Sequence, residues 1–197
     1  MMAATKKKAT DRRKATDRRV ARTHTALREA LIELILERGW DEIGVQDICD
    51  RANVGRSTFY MHFSCKDKLL NSAFGDLRKE LRAQEKLSDE QHAPVFGIAH
   101  GLVGHVHENK RLFRAVIGKR SSLVVQRRFR QLVIDLVEED FAASDIPAAR
   151  HAAAHYIAGA LFELLTWWVD SRSPLTPDEL EKVFRELTTP VFGVLRG

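Results

Sequence analysis

The stretch that most constrains this chain is residues 45–63, Val-Gln-Asp-Ile-Cys-Asp-Arg-Ala-Asn-Val-Gly-Arg-Ser-Thr-Phe-Tyr-Met-His-Phe. Val45, Ile48, Cys49 and Ala52 fall on one face of a helix of about two turns. Asn53-Val54-Gly55 then interrupts it, and a second short helix runs from Arg56 to His62. Val54 is placed to plug the gap between the two, and Phe59 and Phe63 anchor the second from behind. That leaves Arg56, Ser57, Thr58, Tyr60 and His62 facing away from the core. The exposed set is rich in donors and carries a fixed charge. This is the design of a helix-turn-helix, whose second helix presents its first residues to base edges in the major groove.

Residue chemistry assigns the roles. Arg56 forks onto guanine O6 and N7 or clamps a phosphate. Ser57 is small enough to let the helix approach the groove, and Thr58 and Tyr60 offer hydroxyls to phosphate oxygens, which fix register. Gln46, at the start of the preceding helix, is a further donor. Lys66 opens the next helix, where free backbone N–H groups already favour an anion, and is expected to grip a phosphate.

The rest of the chain reads as helical. Leu27, Ala30, Leu31, Leu34 and Ile35 form one stripe of a helix starting near Thr23, with Gly39 as its C-cap. A longer helix starts at Lys66 and carries Leu69, Leu70, Phe74, Leu77 and Leu81. Further helices are predicted near 95–107, 109–117, 121–143, 147–171 and 176–195. They are broken at Gly118, Asp145-Ile146-Pro147 and Ser171-Arg172-Ser173-Pro174. No segment alternates with period two over a useful length, so the fold class is all-α.

Ahead of the first stripe, residues 1–24 carry nine lysines and arginines against two aspartates, a net charge of +7 in a chain whose total is +5. The body is therefore slightly acidic. The six residues Lys8-Ala9-Thr10-Asp11-Arg12-Arg13 recur unchanged as Lys14-Ala15-Thr16-Asp17-Arg18-Arg19. With almost no large apolar residue this segment cannot bury a core, and it is expected to be a disordered basic arm suited to phosphate-rich partners or to solubility. The expected domains are the arm at 1–22, a helix-turn-helix domain at 23–70 and a helical body at 71–197.

From Arg28 to Leu70 the chain resembles the DNA-binding domain of the TetR family of transcriptional regulators. The resemblance is carried by Glu37-Arg38-Gly39-Trp40, Val45-Gln46-Asp47-Ile48, Ala52 through Tyr60, His62-Phe63 and Lys66-Asp67-Lys68-Leu69-Leu70, in order and at the family's spacing. It implies that Thr58, Tyr60, His62 and Lys66 contact phosphates and that Gln46, Arg56 and Ser57 lie near bases. Asn53 stands where the family often has Gly, Gly55 where it usually has a capping Ser, and Cys65 where Ser is more common. The resemblance further implies a homodimer on a palindromic double-stranded operator and a repressor released by a small-molecule effector.

In the body, Ala154, Ile157, Ala158, Leu161, Leu165 and Trp168 make one apolar stripe. Leu180, Val183, Phe184, Leu187, Val191 and Val194 make another. By resemblance, Ala158, Leu161, Leu165, Phe184, Leu187 and Val191 are the expected dimer interface; intrachain core is the competing reading. An effector pocket is expected among Phe96, His100, His107, Phe113, Phe162, Glu163 and Trp167, aromatic and apolar groups with a few polar points.

Other function classes find little here. There is no GxSxG, Walker A, HExxH or Gly-rich dinucleotide pattern; His107-Glu108 is followed by Arg111 where a zinc protease needs His. An enzyme is not expected, nor a cofactor. His151 and His155 share a helix face but lack a third metal ligand, so no metal is expected. Cys49 reads as a small buried residue, and Cys65 as a serine substitute or a reactive thiol at a helix start. No apolar run approaches the ~20 residues of a membrane span, and no apolar segment follows the basic N-terminus, so the expected location is cytoplasmic. A DNA-binding scaffold without ligand control is the alternative to a regulator, and the basic arm lends it support.

Overall fold

The computed structural model describes residues 2–85, 94–119, 121–140, 147–171 and 173–196. Among them lie nine α-helices and no strand. They are α1 (Met2–Arg38), α2 (Val45–Ala52), α3 (Arg56–His62), α4 (Lys66–Glu85), α5 (Pro94–Glu108), α6 (Lys110–Ile117), α7 (Leu123–Asp140), α8 (Pro147–Asp170) and α9 (Pro177–Arg196), with a short 3₁₀ turn at Trp40–Glu42. The fold is all-α, and the helices of the body fall within a few residues of the sequence pattern. The break expected at Asp145-Ile146-Pro147 lies mostly outside the described residues.

The largest departure is at the N-terminus. Residues 1–22 were expected to lack regular structure, yet the backbone is helical from Met2 onward, continuous with the stripe of α1. The local chemistry permits this: between Ala3 and Arg22 there is no Gly or Pro, and Ala, Lys and Arg are strong helix formers. The absence of a buried face does hold where side chains are described. Residues 16–19, 21 and 22 are exposed, and burial begins in earnest at Leu27.

The chain divides into two compact units. The first joins α1 to Glu42–Ser72; the second joins Gly39–Asp41 to the residues from Ala73 onward. In the first, Leu27, Ala30, Leu31, Leu34 and Ile35 are buried with Ile48, Cys49, Phe59, Phe63, Leu69 and Leu70. Burial pushes the Cys49 thiol up, as a structural rather than reactive cysteine requires.

In the second unit α8 is the hub and packs against α5, α6, α7 and α9. A chain of rings, Phe74–Phe129, Phe129–Phe113 and Phe129–Phe162, runs through its core at centroid separations of 6.0, 5.7 and 6.2 Å. The end of α8 is tied down by polar bonds: Arg114 Nε donates to the Val169 carbonyl at 2.7 Å, the Lys119 N–H to Asp170 at 2.7 Å, and Trp168 Nε1 to the Leu175 carbonyl at 3.0 Å.

Helices α5 and α9 are joined by a charged cluster around Glu181, which is buried. His100 Nδ1 lies 2.6 Å from its carboxylate, and Arg185 pairs with the other oxygen. An ionised carboxylate only accepts, so Nδ1 is the donor. Burial pushes the Glu181 pKa up, but the His100 hydrogen bond and the Arg185 guanidinium outweigh it, and the net shift is downward. A depressed folded pKa contributes stability that is fully present above the ordinary glutamate value of about 4.3 and is lost as pH falls through the depressed one. Glu181→Gln is therefore expected to lower Tm at pH 7 and to flatten the decline of Tm between about pH 5 and 3. A thermal-melt series whose acid limb is unchanged by the substitution would contradict this role.

Candidate nucleic-acid interface

The first unit is built to hold one short helix rigidly from behind. Gly39 takes φ +80°, the left-handed turn that ends α1. The Gly44 N–H donates to Asp47 Oδ2 at 2.7 Å, and Arg38 pairs with the other Asp47 oxygen at 3.1 Å. The Gly44 N–H first, and then Arg38, hold the Asp47 carboxyl below its usual range. Glycine supplies no hydroxyl, so this start of α2 is half of a reciprocal capping box. Arg51 forks onto Glu37 at 2.7 and 2.9 Å and reaches Glu33 at 3.0 Å, fastening α2 to α1. Its charge is spent inside the unit.

The turn follows from its residues. Asn53 adopts φ 51°, ψ 46°, the left-handed conformation that Asn tolerates, and its N–H closes onto Asp50 at 3.3 Å. The Val54 N–H donates to the Cys49 carbonyl at 2.9 Å. Gly55 is extended, and its carbonyl accepts the first bond of α3, from the Phe59 N–H at 3.0 Å. Phe59 and Phe63 are buried, with ring centroids 6.0 Å apart.

With α3 pinned by that face, the opposite one is fixed. Arg56, Ser57, Tyr60 and Met61 are exposed. The Arg56 guanidinium lies 5.9 Å from the centroid of the Tyr60 ring, a contact that orients the charge without consuming its donors. Thr58 and His62 are half-buried on the flanks, and the His62 ring meets His24 of α1 edge-on at 4.9 Å. Gln46 is exposed on α2 and donates to Asp50 at 2.6 Å. Lys66 is half-buried, and its ammonium donates to the Ile43 carbonyl at 2.8 Å, so it also ties the start of α4 to the loop before α2. Cys65 is half-buried, and its carbonyl accepts from the N–H groups of Lys68 and Leu69. Arg56, Ser57 and Tyr60 thus share the outward face of α3, flanked by Thr58 and His62.

Met61 was missed. A search for donors passes over methionine, yet its side chain is 79% exposed at the centre of the face. The helical period did carry the signal, since 57 and 61, four residues apart, fall opposite 59 and 63. An apolar side chain there suits the methyl group of thymine.

The expected dimer residues fare differently. Ala158, Leu161, Leu165 and Phe184 are at most 1% exposed within the single chain, so they are intrachain core and not available to a partner. The first three lie on α8, which packs against α5, α6, α7 and α9, and Phe184 lies on α9. Leu187 alone of the set is fully exposed, at 66%, with Val191 partly so. The outer face of α8 instead carries Tyr156, 59% exposed, and Trp167, 47% exposed.

The expected pocket residues are likewise dispersed. Phe113 and Phe162 both pack on Phe129 in the core, while Phe96 meets Phe184, 6.4 Å between centroids. His100 is engaged with Glu181, and His107 stacks on Trp168 at 5.8 Å. Glu163 and Trp167 are exposed, and Glu163 pairs with Arg130 at 3.4 Å. No group of three or more His, Cys, Asp or Glu able to hold a metal occurs among the described residues; His151 pairs with Glu138 at 2.6 Å. No described helix is long and apolar enough to cross a membrane.

Comparison with known proteins agrees with this geometry. A family model described as bacterial regulatory proteins, tetR family, matches residues 27–73, and one described as a transcriptional regulator C-terminal region matches residues 97–190. The chain is 24% identical over 174 residues to the HTH-type transcriptional regulator YxbF of Bacillus subtilis, covering 83% of this chain and 44% of that one; it thus spans less than half the length of this relative. Among solved structures it resembles a TetR transcriptional regulator of Streptococcus agalactiae at 26% identity and a TM-score of 0.66, over 88% of this chain and 97% of that one. In fold it also resembles NalD of Pseudomonas aeruginosa, the secondary repressor of the MexAB-OprM multidrug efflux pump, at 20% identity, a TM-score of 0.61 and coverage of 86% and 96%.

Proposed function

The chain belongs to the TetR family of DNA-binding transcriptional regulators, which are not enzymes, and on that footing we propose that it is a homodimeric repressor released from a palindromic operator by a small organic effector. The observation that carries the reading is the outward face of α3. Arg56, Ser57, Tyr60 and Met61 are presented together on a helix whose other side is locked by Phe59 and Phe63. Rigid presentation of a donor pair, a charge and an apolar tip is what sequence readout needs. Arg56 and Met61 are the base readers; Thr58, Tyr60 and His62 hold phosphates, with Lys66 and Gln46 beside them.

Dimerisation belongs to the second unit. The exposed apolar groups of α8 and α9, Tyr156, Trp167 and Leu187, support a partner seated on their outer faces. Two protomers related by a two-fold axis read two half-sites about one turn, 34–36 Å, apart. The effector is a small organic molecule whose preference for one arrangement of the dimer lowers DNA affinity by linkage. The test is transcription in vitro from a promoter overlapping a duplex that the protein has selected from random DNA. Repression requires transcript to fall as protein is added; a rise would make the chain an activator.

A further inference from the structure

The family match begins at residue 27, and the basic segment lies ahead of that match. Helix α1 is 37 residues long, of which roughly 21, or about 32 Å at 1.5 Å per residue, precede Thr23. Over that length the only apolar residues beyond Met2 are alanines and Val20, so no face exists to pack on protein. The segment carries nine lysines and arginines, and the repeated Lys-Ala-Thr-Asp-Arg-Arg unit recurs at a step of six, out of phase with a 3.6-residue turn. Where side chains are described, Arg18, Arg19 and Arg22 are exposed.

The position of this segment is set inside the first unit. His24 touches both His62 and Phe63, at centroid separations of 4.9 and 4.8 Å. The basic extension of α1 therefore leaves the unit beside the last turn of the recognition helix, the element that enters the groove. We propose that it is a second DNA-binding element, which lies against the phosphates of the duplex flanking each half-site and adds affinity without reading bases. This rests on the DNA-binding reading above. A length of about 32 Å matches nearly one turn of B-DNA, along which duplex carries a charge every ~1.7 Å. A dense array of anions offsets the repulsion within a segment of net charge +7.

The experiment compares the full-length protein with a variant in which all nine arm lysines and arginines are Gln, which keeps length and helix propensity. Each is first used to select duplexes from random DNA; binding to the duplex recovered with the wild type is then followed from 50 to 400 mM NaCl and footprinted with hydroxyl radical. Each phosphate neutralised steepens the slope of log K against log salt by about 0.9. The wild type is expected to exceed the variant by about 3 to 8 in slope per protomer and to protect up to about ten further base pairs on each flank, while both select the same sequence. Equal slopes and equal footprints would overturn the proposal while leaving the recognition helix as the DNA reader. Failure of both proteins to bind any duplex would overturn it together with the reading it rests on. A difference between them on phosphatidylserine vesicles, with none on duplex, would overturn it and assign the arm to a lipid surface.

Discussion

Leu161→Asp is expected to unfold the second unit, not to release folded protomers. Leu161 is 1% exposed at the centre of α8, between the helices that α8 holds together. Truncating such a leucine to alanine already costs about 2–5 kcal/mol. An unpaired carboxylate adds a desolvation penalty of several kcal/mol more. Against a total stability of about 5–15 kcal/mol, that is enough to remove the native state. Far-ultraviolet circular dichroism should show loss of helix and of any cooperative melt. The complementary variant, Trp167→Glu with Leu187→Glu, changes only exposed positions. It should keep its helix content and sediment as a protomer. A folded monomer from Leu161→Asp, or a persistent dimer from the outer-face pair, would mean that the inner and outer faces of α8 have been assigned the wrong way round.

Arg56→Ala is expected to weaken binding to the selected operator from about thirty-fold to more than ten-thousand-fold. Losing a bidentate contact to guanine costs about 1–3 kcal/mol per half-site, and a two-fold dimer loses two. The loss should be concentrated at one base pair of each half-site, where the variant no longer distinguishes guanine from the other bases. A uniform loss across all positions, with a shallower salt dependence, would identify Arg56 as a phosphate ligand instead. Fold is not at stake in this substitution, because Arg56 is exposed and its ring contact with Tyr60 is on the surface.

The helix-turn-helix was legible in the sequence because its information is local. Asn53 and Gly55 punctuate the turn, Phe59 and Phe63 set the phase of α3, and that phase fixes which of its seven residues face outward. Met61 offers no donor, so residue type does not single it out, although its phase places it on that face. The orientation of α8 was not legible for a different reason. This helix is apolar nearly all round, with Leu161 and Leu165 on one side and Tyr156 and Trp167 on the other. Periodicity shows that a helix has a stripe, but not whether the stripe meets its own chain or a partner, since both environments exclude water alike. Of the expected pocket residues, Glu163 and Trp167 sit four residues apart on one face, and that face is exposed. At the N-terminus two principles competed. Composition argued against a packed core, and side-chain exposure agrees; intrinsic propensity argued for helix, and the backbone follows it.

In this reading the chain recognises a two-fold DNA sequence through the outward face of α3. Selection of bound duplexes from random DNA by the purified full-length protein at moderate salt tests it most directly. Enrichment of an inverted repeat with half-sites about one helical turn apart is expected. Retention of DNA with no enriched sequence would contradict it and make the chain a non-specific binder driven by its basic arm.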